Sequence, residues 1–387
     1  MLPFLAPLLL KAWGPFRLFS SYLVLIGLGT LAAAGLTWWL LPKTFKRLPR
    51  DQGKPFVKEG EEAKGKPTGA GVVFTTLFLA VLAFVLPPSA QMWELAICLF
   101  LAMLSGFGDD CSEPHWGEAR KGTLDLLVAL LASLALCQCR DVTMWWPLFK
   151  GGAPDGSFVI PVWVYVPMAT IILWWTINAT NCSDGVDGLA GSLTLLSLFF
   201  LGGFLYGIIG HTEVSRYLLL PHRADGARWG ILVFVAAGGL AGYVWHNAKP
   251  SAVLMGDAGS RFLGLLVGMA VLASGNPFMV LVVSPVVLLN GGTGLVKLLL
   301  LRGFGRLGFD VRPPARNLVN AAHHNAASEE EEARQAFFVR FLHRYRFPLH
   351  DHCRKKLQWS DPQVLVRFML LQALLTPILF GLLVKLR

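Results

Sequence analysis

A short polar stretch, residues 178–191, places two carboxylates and two carboxamides between two long apolar runs. Asp184 and Asp187 are three residues apart, so on a helical turn they share one face. Gly185 and Gly188 leave that turn open to close approach by a ligand. Two acids on one face repel unless a cation lies between them, and ligands that are all oxygen favour magnesium bridged to phosphate. A polar loop that only caps a helix is the alternative, but polar groups at a bilayer edge are costly and usually functional.

Two further acidic sites follow apolar segments. Asp109 and Asp110 close one of them, although acids are unfavourable near a helix C-terminus. We therefore expect one of the pair to bind a metal or act as a base while the other orients a lysine. Asp257 opens a glycine-rich turn soon after Pro250, which breaks the preceding helix. The free N–H groups of such a turn suit an anion, and Asp257 suits the metal that accompanies it.

Two basic segments are typical of phosphate contacts. Histidines alternate in Pro348-Leu-His350-Asp351-His352, which lies beside three basic residues, and zinc is the weaker alternative because only Cys353 is near. The pair His323-His324 competes with His350, and we interpret that pair as a solvated surface feature. The second basic segment has lysine, threonine and glycine just before another apolar run, and its candidate phosphate contacts are Lys64, Lys66 and Thr68. The alternative explanation is that these are the basic residues that ordinarily flank a membrane span.

These residues must be positioned by membrane helices. The chain has 387 residues, of which 54% are hydrophobic and 15% charged, with mean hydropathy +0.55. Such long apolar runs indicate a polytopic membrane protein. The net charge of +10 would suit nucleic acid, but the basic residues cluster in alternating loops, so no nucleic-acid partner is expected. Residues 1–20 are interrupted by Lys11, Pro15 and Arg17, which favours an interfacial segment over a signal peptide.

The pattern predicts an all-α fold, a single integral membrane domain over 1–387 with ten transmembrane helices. The predicted spans are 22–41, 70–87, 91–107, 123–139, 159–177, 189–209, 229–246, 259–274, 278–301 and 364–384. Charge bias places the loops after the odd-numbered spans in the cytoplasm and both termini outside. All the acidic sites and His350 then fall on the cytoplasmic side. The loop 302–363 carries the histidine motif and an insert at 305–345, and residues 333–345 are expected to form one helix behind the acids of 329–332.

In this order, the motifs resemble the polyprenyl-phosphate N-acetylhexosamine-1-phosphate transferases, and within them the phospho-N-acetylmuramoyl-pentapeptide transferase branch. The resemblance covers essentially the whole chain. It rests on the block 178–190, the paired aspartates 109–110, the blocks 247–260 and 348–352, and the tenth helix with Trp359 and 364–368. The histidine block separates this branch from the enterobacterial-antigen and teichoic-acid branches.

Several positions depart from the family pattern. The middle histidine is Asp351, and the lysine usual three residues after the paired aspartates is Glu113. Arg120 or Lys121 is then expected to supply the positive charge. An aromatic residue that precedes Met-Gly-Asp in the family is Leu254 here, and a ninth-helix glutamine is Lys297. The insert 305–345 has no counterpart in the family pattern, and the upstream lysine is displaced to Lys64.

The resemblance implies transfer of phospho-N-acetylmuramoyl-pentapeptide from its UDP-linked donor to undecaprenyl phosphate, giving lipid I and UMP. It implies Mg²⁺ as cofactor, a cytoplasmic-face active-site cleft in the bacterial cytoplasmic (inner) membrane, and contacts with membrane lipids; a homodimer is left open. The hypothesis assigns metal binding to Asp257 and Asp184, catalysis to Asp109, Asp110, Asp257, His350 and His352, and substrate binding to Lys64, Lys66, Thr68, Asn178, Asn181, Asp184, Asp187, Asn247, Leu254 and Lys297.

Three alternatives stay open at this stage. A sister transferase would move N-acetylglucosamine-1-phosphate, since Leu254 and Asp351 depart from the pattern. A transporter or lipid flippase would also use charge in the membrane, but transporters place it near the midplane. An inactive paralogue is disfavoured because the five aspartates are intact. Whether an aspartate forms a covalent intermediate is also open.

Overall fold

The computed structural model describes the chain except residues 12, 54–63, 150, 154, 315–326 and 387. The histidine pair 323–324, which competed with His350, lies outside the described residues. So do Lys54 and Lys58 of the first predicted cytoplasmic loop. The middle of the insert, 315–326, falls in the same gap.

The described chain is helical for most of its length. Numbered in chain order, its helices are α1 Leu2–Leu10, α2 Tyr22–Thr44, α3 Gly71–Val85, α4 Ala90–Asp110, α5 Glu118–Cys137, α6 Val162–Ser183, α7 Leu189–Gly203, α8 Thr212–Tyr217, α9 Gly226–Asn247, α10 Gly256–Ala273, α11 Met279–Val283, α12 Pro285–Val287, α13 Thr293–Arg306, α14 Glu329–Arg334, α15 Phe337–Arg344, α16 Leu349–Lys355 and α17 Asp361–Lys385. A 3₁₀ helix covers Gly14–Ser20, and π-helical turns cover Phe204–Ile209 and Leu288–Gly292.

Among the described residues, eight helices are long and apolar enough to cross a membrane. The predicted count of ten is therefore not confirmed. The second predicted span corresponds to α3, which has 15 residues, where a span needs about 20. The fourth corresponds to α5, whose first two turns carry four charged residues: Glu118, Arg120, Lys121 and Asp125. The multi-pass membrane character itself is confirmed.

The ninth predicted span, 278–301, is not one continuous helix. It is interrupted at Ser284, which separates α11 from one continuous helical stretch, Pro285–Arg306, made up of α12, a π-helical turn and α13. Pro285 has no N–H to donate, so the backbone bonding of a continuous helix is interrupted at that point. The wide turn that follows brings Asn290 into the protein interior, where it is fully buried. Such π turns are frequent at functional sites.

The all-α prediction is wrong in one detail. Strand β1, Val142–Met144, pairs antiparallel with β2, Phe158–Ile160. This hairpin is fastened by the buried Trp145, which donates from its backbone N and its indole N to the Gly275 and Ser274 carbonyls just beyond α10. The hairpin therefore lies at the end of α10 that is opposite Asp257.

Helix α10 is the most enclosed span, and glycines let its neighbours approach it closely. A Cβ at Gly106 of α4 would lie 2.3 Å from the Asp257 carbonyl oxygen, and one at Gly71 of α3 would lie 2.0 Å from the Gly259 nitrogen. Small residues allow such close contact between helices in membranes. The start of α10 is therefore pressed against the end of α4, where Asp109 and Asp110 stand.

Residues 329–344, in the segment predicted to be cytoplasmic, form two helices where one was predicted. The single helix expected over 333–345 is wrong, because α14 ends at Arg334 and α15 begins at Phe337. Gln335 between them has extended backbone, with ψ of 149°. Ser328 and Glu331 form a reciprocal capping box at the start of α14, which explains why the acidic run begins a helix there.

Candidate active site

Three of the predicted carboxylates meet at one end of the bundle. Asp109, Asp110 and Asp257 each offer an oxygen, and the three oxygens lie within 4.8 Å of one another. Asp109 and Asp110 come from the last turn of α4, and Asp257 comes from the first turn of α10. Asp109 and Asp110 are buried, whereas the Asp257 side chain is partly exposed. We call these three residues the carboxylate cluster.

Asp110 joins the two helices that carry the cluster. Its two carboxylate oxygens accept hydrogen bonds from the backbone N–H groups of Asp257, at 2.8 Å, and Ala258, at 3.0 Å. These donors belong to the first turn of α10, where helix N–H groups lack partners within the helix. A negative charge is favourable there. An acid is unfavourable at the C-terminal end of α4, and the hydrogen bonds from α10 explain why Asp110 is nevertheless found there.

Lys121 lies between the other two carboxylates. Its Nζ forms an ion pair with Asp109 and lies 3.1 Å from Asp257 Oδ2. The second oxygen of Asp109 accepts the Trp116 backbone N–H at 2.6 Å. Of the two basic residues expected to replace the missing family lysine, Lys121 occupies this position. Arg120 lies instead over the Trp116 ring, 3.7 Å from its centroid.

A buried ion pair that the sequence analysis missed orients Asp257. Arg261 lies one turn further along α10, and its guanidinium contacts Asp257 Oδ2 at 3.1 Å and Asp125 Oδ1 at 3.0 Å. The side chains of Arg261 and Asp125 are 1% and 4% exposed. A buried charge needs such a partner. Charged residues inside otherwise apolar helices were the available signal, since such residues are usually functional.

The polar stretch 178–191 lies next to the cluster. The Asn181 amide nitrogen donates to Ser260 Oγ at 3.1 Å, one turn from Asp257 on α10. Asn178 donates to the Trp174 carbonyl one turn earlier on α6. Asp184 is half-buried just past the end of α6 and, among the described residues, does not belong to the carboxylate cluster. Its predicted role as a metal ligand stays a prediction.

Asp187 and the 64–68 segment meet at the side of the cluster. Asp187 lies 3.8 Å from Lys66 Nζ and accepts the Ser251 N–H at 3.4 Å. Lys66 also donates to Ser251 Oγ. The segment is held by backbone hydrogen bonds between Pro67–Gly71 and Leu254–Met255. Further along this segment, Thr68 is buried, whereas Lys64 is exposed.

Asn247 has a positioning role in the structure. Its side-chain oxygen accepts the Gly188 N–H at 2.8 Å, and its amide donates to the Val253 carbonyl at 2.8 Å. Gly188 has φ of +78°, a conformation in which a side chain is strained. Asn247 is buried and connects the 178–191 stretch to the turn before α10. The predicted substrate contact of Asn247 stays a prediction.

His350 is fixed by Asn290, which the sequence analysis also missed. Asn290 Oδ1 accepts the backbone N–H of His350 at 2.9 Å and lies 3.0 Å from His350 Nδ1. An amide oxygen only accepts, so Nδ1 carries the proton. The other ring nitrogen, Nε2, faces Gly185, where an added Cβ would come within 2.3 Å of it. His350 is thereby held against the 178–191 stretch.

The remaining predicted residues lie beside α16. His352 Nδ1 accepts the Arg346 N–H at 3.4 Å. The pKa of His352 lies below its ordinary value, mainly because the ring is partly buried and secondly because Lys356 and Arg346 are positively charged. Lys297 donates to the Tyr345 carbonyl at 2.9 Å. Leu254 is half-buried in the turn before α10. Two apolar cavities, of about 270 and 360 Å³, are lined by none of these residues, and the predicted cleft stays a prediction.

Comparison with known proteins agrees with this arrangement. The model of the family described as glycosyl transferase family 4 matches residues 92–275, which contain the whole carboxylate cluster. The fold and the site thus define a polytopic membrane transferase of that class.

Similar proteins with names identify the family more specifically. The chain is 44% identical over 378 residues to a phospho-N-acetylmuramoyl-pentapeptide-transferase of Treponema pallidum, covering 97% of this chain and 94% of the relative. It is 29% identical over 294 residues to the Helicobacter pylori protein of the same name, covering 72% and 81%. A Campylobacter curvus relative of that name is 29% identical over 70% and 78%. The chain belongs to the phospho-N-acetylmuramoyl-pentapeptide transferase family.

Proposed function

We propose that the chain transfers phospho-N-acetylmuramoyl-pentapeptide from its UDP-linked donor to undecaprenyl phosphate, giving lipid I and UMP. The observation that carries this proposal is the carboxylate cluster, which stands at the ends of α4 and α10 with Lys121 beside it. A lipid phosphate and a water-soluble diphosphate can meet only at a membrane edge. The full-length similarity to transferases of this name supports the same reaction.

The donor set of the cluster fits a divalent cation. Three carboxylates whose oxygens lie within 4.8 Å of one another provide the ligands that Mg²⁺ prefers. The position of Lys121 Nζ between Asp109 and Asp257 shows that positive charge is already accommodated there. Asp257 would hold the ion, and Asp184 would complete its shell. When bound, Mg²⁺ neutralises the charge of the diphosphate and of the leaving UMP.

The residues around the cluster then take separate roles. Asp109 accepts a proton from, or positions, the attacking lipid phosphate, and Asp110 keeps α10 in place through its two backbone N–H bonds. Arg261 keeps the Asp257 carboxylate ionised and oriented. The arrangement of the carboxylates is compatible with direct attack by the lipid phosphate and with an aspartyl intermediate, because both place the reacting phosphorus at the same carboxylates.

The substrate is held by the surrounding loops. His350 holds the diphosphate or the sugar, and its ring is oriented by the bond between Nδ1 and Asn290. His352 assists it, and Lys64, Lys66 and Thr68 contact phosphate. The UDP moiety lies along the stretch with Asn178, Asn181, Asp184 and Asp187, next to Asn247, Leu254 and Lys297. The site faces the cytoplasm at the bacterial inner membrane, in agreement with the charge bias of the loops.

One assay tests the reaction and its metal together. Purified protein is given undecaprenyl phosphate and either radiolabelled UDP-N-acetylmuramoyl-pentapeptide or UDP-N-acetylglucosamine. Lipid product should form from the first donor only, should vanish with EDTA, and should return with Mg²⁺. Asp257→Asn should abolish it, whereas Asp225→Asn, which removes an exposed acid paired with Arg228, should not.

The same assay distinguishes the proposed reaction from the alternative, a sister transferase that moves N-acetylglucosamine-1-phosphate. The departures at Leu254 and Asp351 leave the sister activity open, and product from UDP-N-acetylglucosamine alone would establish it. Product that forms in EDTA would refute the metal assignment. Lack of product from both donors would refute the proposed transfer.

A further inference from the structure

The insert that has no counterpart in the family pattern contains an amphipathic helix, α15. One of its faces is inside the protein, where Val339 is buried and His343 lies 3.2 Å from the Val311 carbonyl. A second face stacks Phe338 on Phe304, with ring centroids 4.3 Å apart. The third face is outside and combines two aromatic and two basic side chains: Phe337, Phe341, Arg340 and Arg344.

The third face exposes much apolar area. Phe337 is 76% exposed and Phe341 is 52% exposed. With 3.6 residues per turn, the two phenylalanines and the two arginines fall within an arc of about 100°. Exposed single apolar residues are ordinary, but two adjacent phenylalanine side chains framed by arginines form a patch that requires a partner. We call these four residues the Phe–Arg face.

The helix runs beside an apolar span. Lys297 Nζ of α13 donates to the Tyr345 carbonyl just past α15, and Phe304 near the end of α13 stacks on Phe338 near the start of α15. The two helices therefore lie antiparallel. The outer side of α13 is apolar, with exposed leucines at 298–300. This arrangement holds α15 next to a helix whose own surroundings must be lipid.

Among the described residues, no acid neutralises the arginines of the Phe–Arg face. No described carboxylate lies within ion-pair distance of Arg340 or Arg344. The nearby acids belong to the separate helix α14, where Glu331 is paired with Arg312 at 2.9 Å. Rings that enter the acyl region while guanidinium groups bond phosphates are typical of helices lying in the headgroup layer.

We propose that α15 lies in the headgroup layer and binds anionic phospholipid. Arg340 and Arg344 would bond lipid phosphates, and Phe337 and Phe341 would enter the acyl chains. The contact is on the side of the membrane that carries the carboxylate cluster, because the chain continues directly from α15 to His350. This inference concerns a lipid surface and does not depend on the proposed transfer reaction.

Hydrogen exchange on the full chain in nanodiscs tests the proposal. Nanodiscs of phosphatidylcholine alone are compared with nanodiscs that also contain phosphatidylglycerol, and the amides of residues 337–344 are followed by mass spectrometry. Two arginines at an anionic surface should slow exchange there by up to about thirtyfold. The double variant Arg340→Gln with Arg344→Gln should lose this difference between the two lipids. Phe337→Ser with Phe341→Ser should exchange faster in both.

The control removes the same charge elsewhere. Arg140→Gln with Arg216→Gln alters two exposed arginines in the loops predicted to face outside, and the lipid-dependent protection should remain. Equal exchange in the two nanodiscs would overturn the proposal. Protection that appears in detergent and grows with protein concentration would assign the Phe–Arg face to a second copy of the chain and would also overturn it. None of these measurements requires an active enzyme.

Discussion

Replacing Lys121 by methionine should make the stability of the protein depend on a divalent cation. In the structure the ammonium group forms ion pairs with both Asp109 and Asp257. Without it, the two carboxylates face each other with no positive charge between them. A bound cation would then relieve a repulsion that Lys121 relieves in the unmodified chain.

The size of the effect follows from the geometry. Lys121 Nζ lies 3.1 Å from Asp257 Oδ2, and opposite unit charges at that distance attract by about 5 kcal/mol at an effective dielectric constant of about 20. Asp257 is 23% exposed at its side chain, so water screens part of this. We therefore expect a loss of about 2 kcal/mol in the free energy of unfolding.

Thermal unfolding of the purified protein, followed by tryptophan fluorescence in EDTA and in Mg²⁺, measures this loss. Lys121→Met should melt at a lower temperature in EDTA, and Mg²⁺ should restore more stability to it than to the unmodified protein. Lys121→Arg should behave nearly as the unmodified protein. Arg120→Met is the matched control, because Arg120 stacks on Trp116 and leaves the carboxylates untouched.

Two results would refute the reasoning. If Lys121→Met and Arg120→Met lose equal stability in EDTA, the bridge between the carboxylates contributes nothing of its own. If Mg²⁺ stabilises the unmodified protein but not Lys121→Met, then Lys121 is needed for cation binding and does not substitute for the cation.

Three further predictions address the substrate site and the topology. His350→Ala should lower kcat by about 100-fold or more if the ring stabilises phosphate charge, and Asn290→Ala should reproduce part of that loss with KM unchanged; a larger effect on KM would contradict the positioning role. Leu254→Phe should tighten UMP binding about tenfold, since one stacking contact contributes about 1–3 kcal/mol, and calorimetry that finds no gain would show that the base lies elsewhere. A cysteine at Glu330 should resist impermeant thiol reagents in intact cells while the native Cys139 reacts, and labelling at position 330 with Cys139 unreactive would reverse the orientation.

The fold could be predicted as far as local patterns reach. Apolar length and loop charge were sufficient for a multi-pass helical membrane protein, because these quantities are averages over neighbouring residues. They overestimated the spans at α3, which is 15 residues long, and at α5, whose first turns are charged. They also missed the hairpin of β1 and β2, since its strands have only three residues each.

The candidate site was predicted one motif at a time. Asp109 and Asp110 were identified because an acid is unfavourable at the end of their own helix, and Asp257 because it opens a glycine-rich turn. Asn290 carried no such signal, since an amide within an apolar segment becomes recognisable only when the π-helical turn brings it to His350. Burial distinguishes Arg261 from an ordinary surface arginine, and burial depends on packing between helices.

The sequence by itself determined which residue types are available and on which helix ends they stand. The tertiary structure decided their partners: Lys121 contacts Asp257 across 136 positions of the chain, and Asp110 caps a helix that begins 146 residues later. Spacing along a chain specifies neighbours only within a few turns of one helix. Contacts between helices depend on how closely their backbones approach, and here that approach is set by glycines such as Gly106, which leave the carboxylates of two helices room to meet.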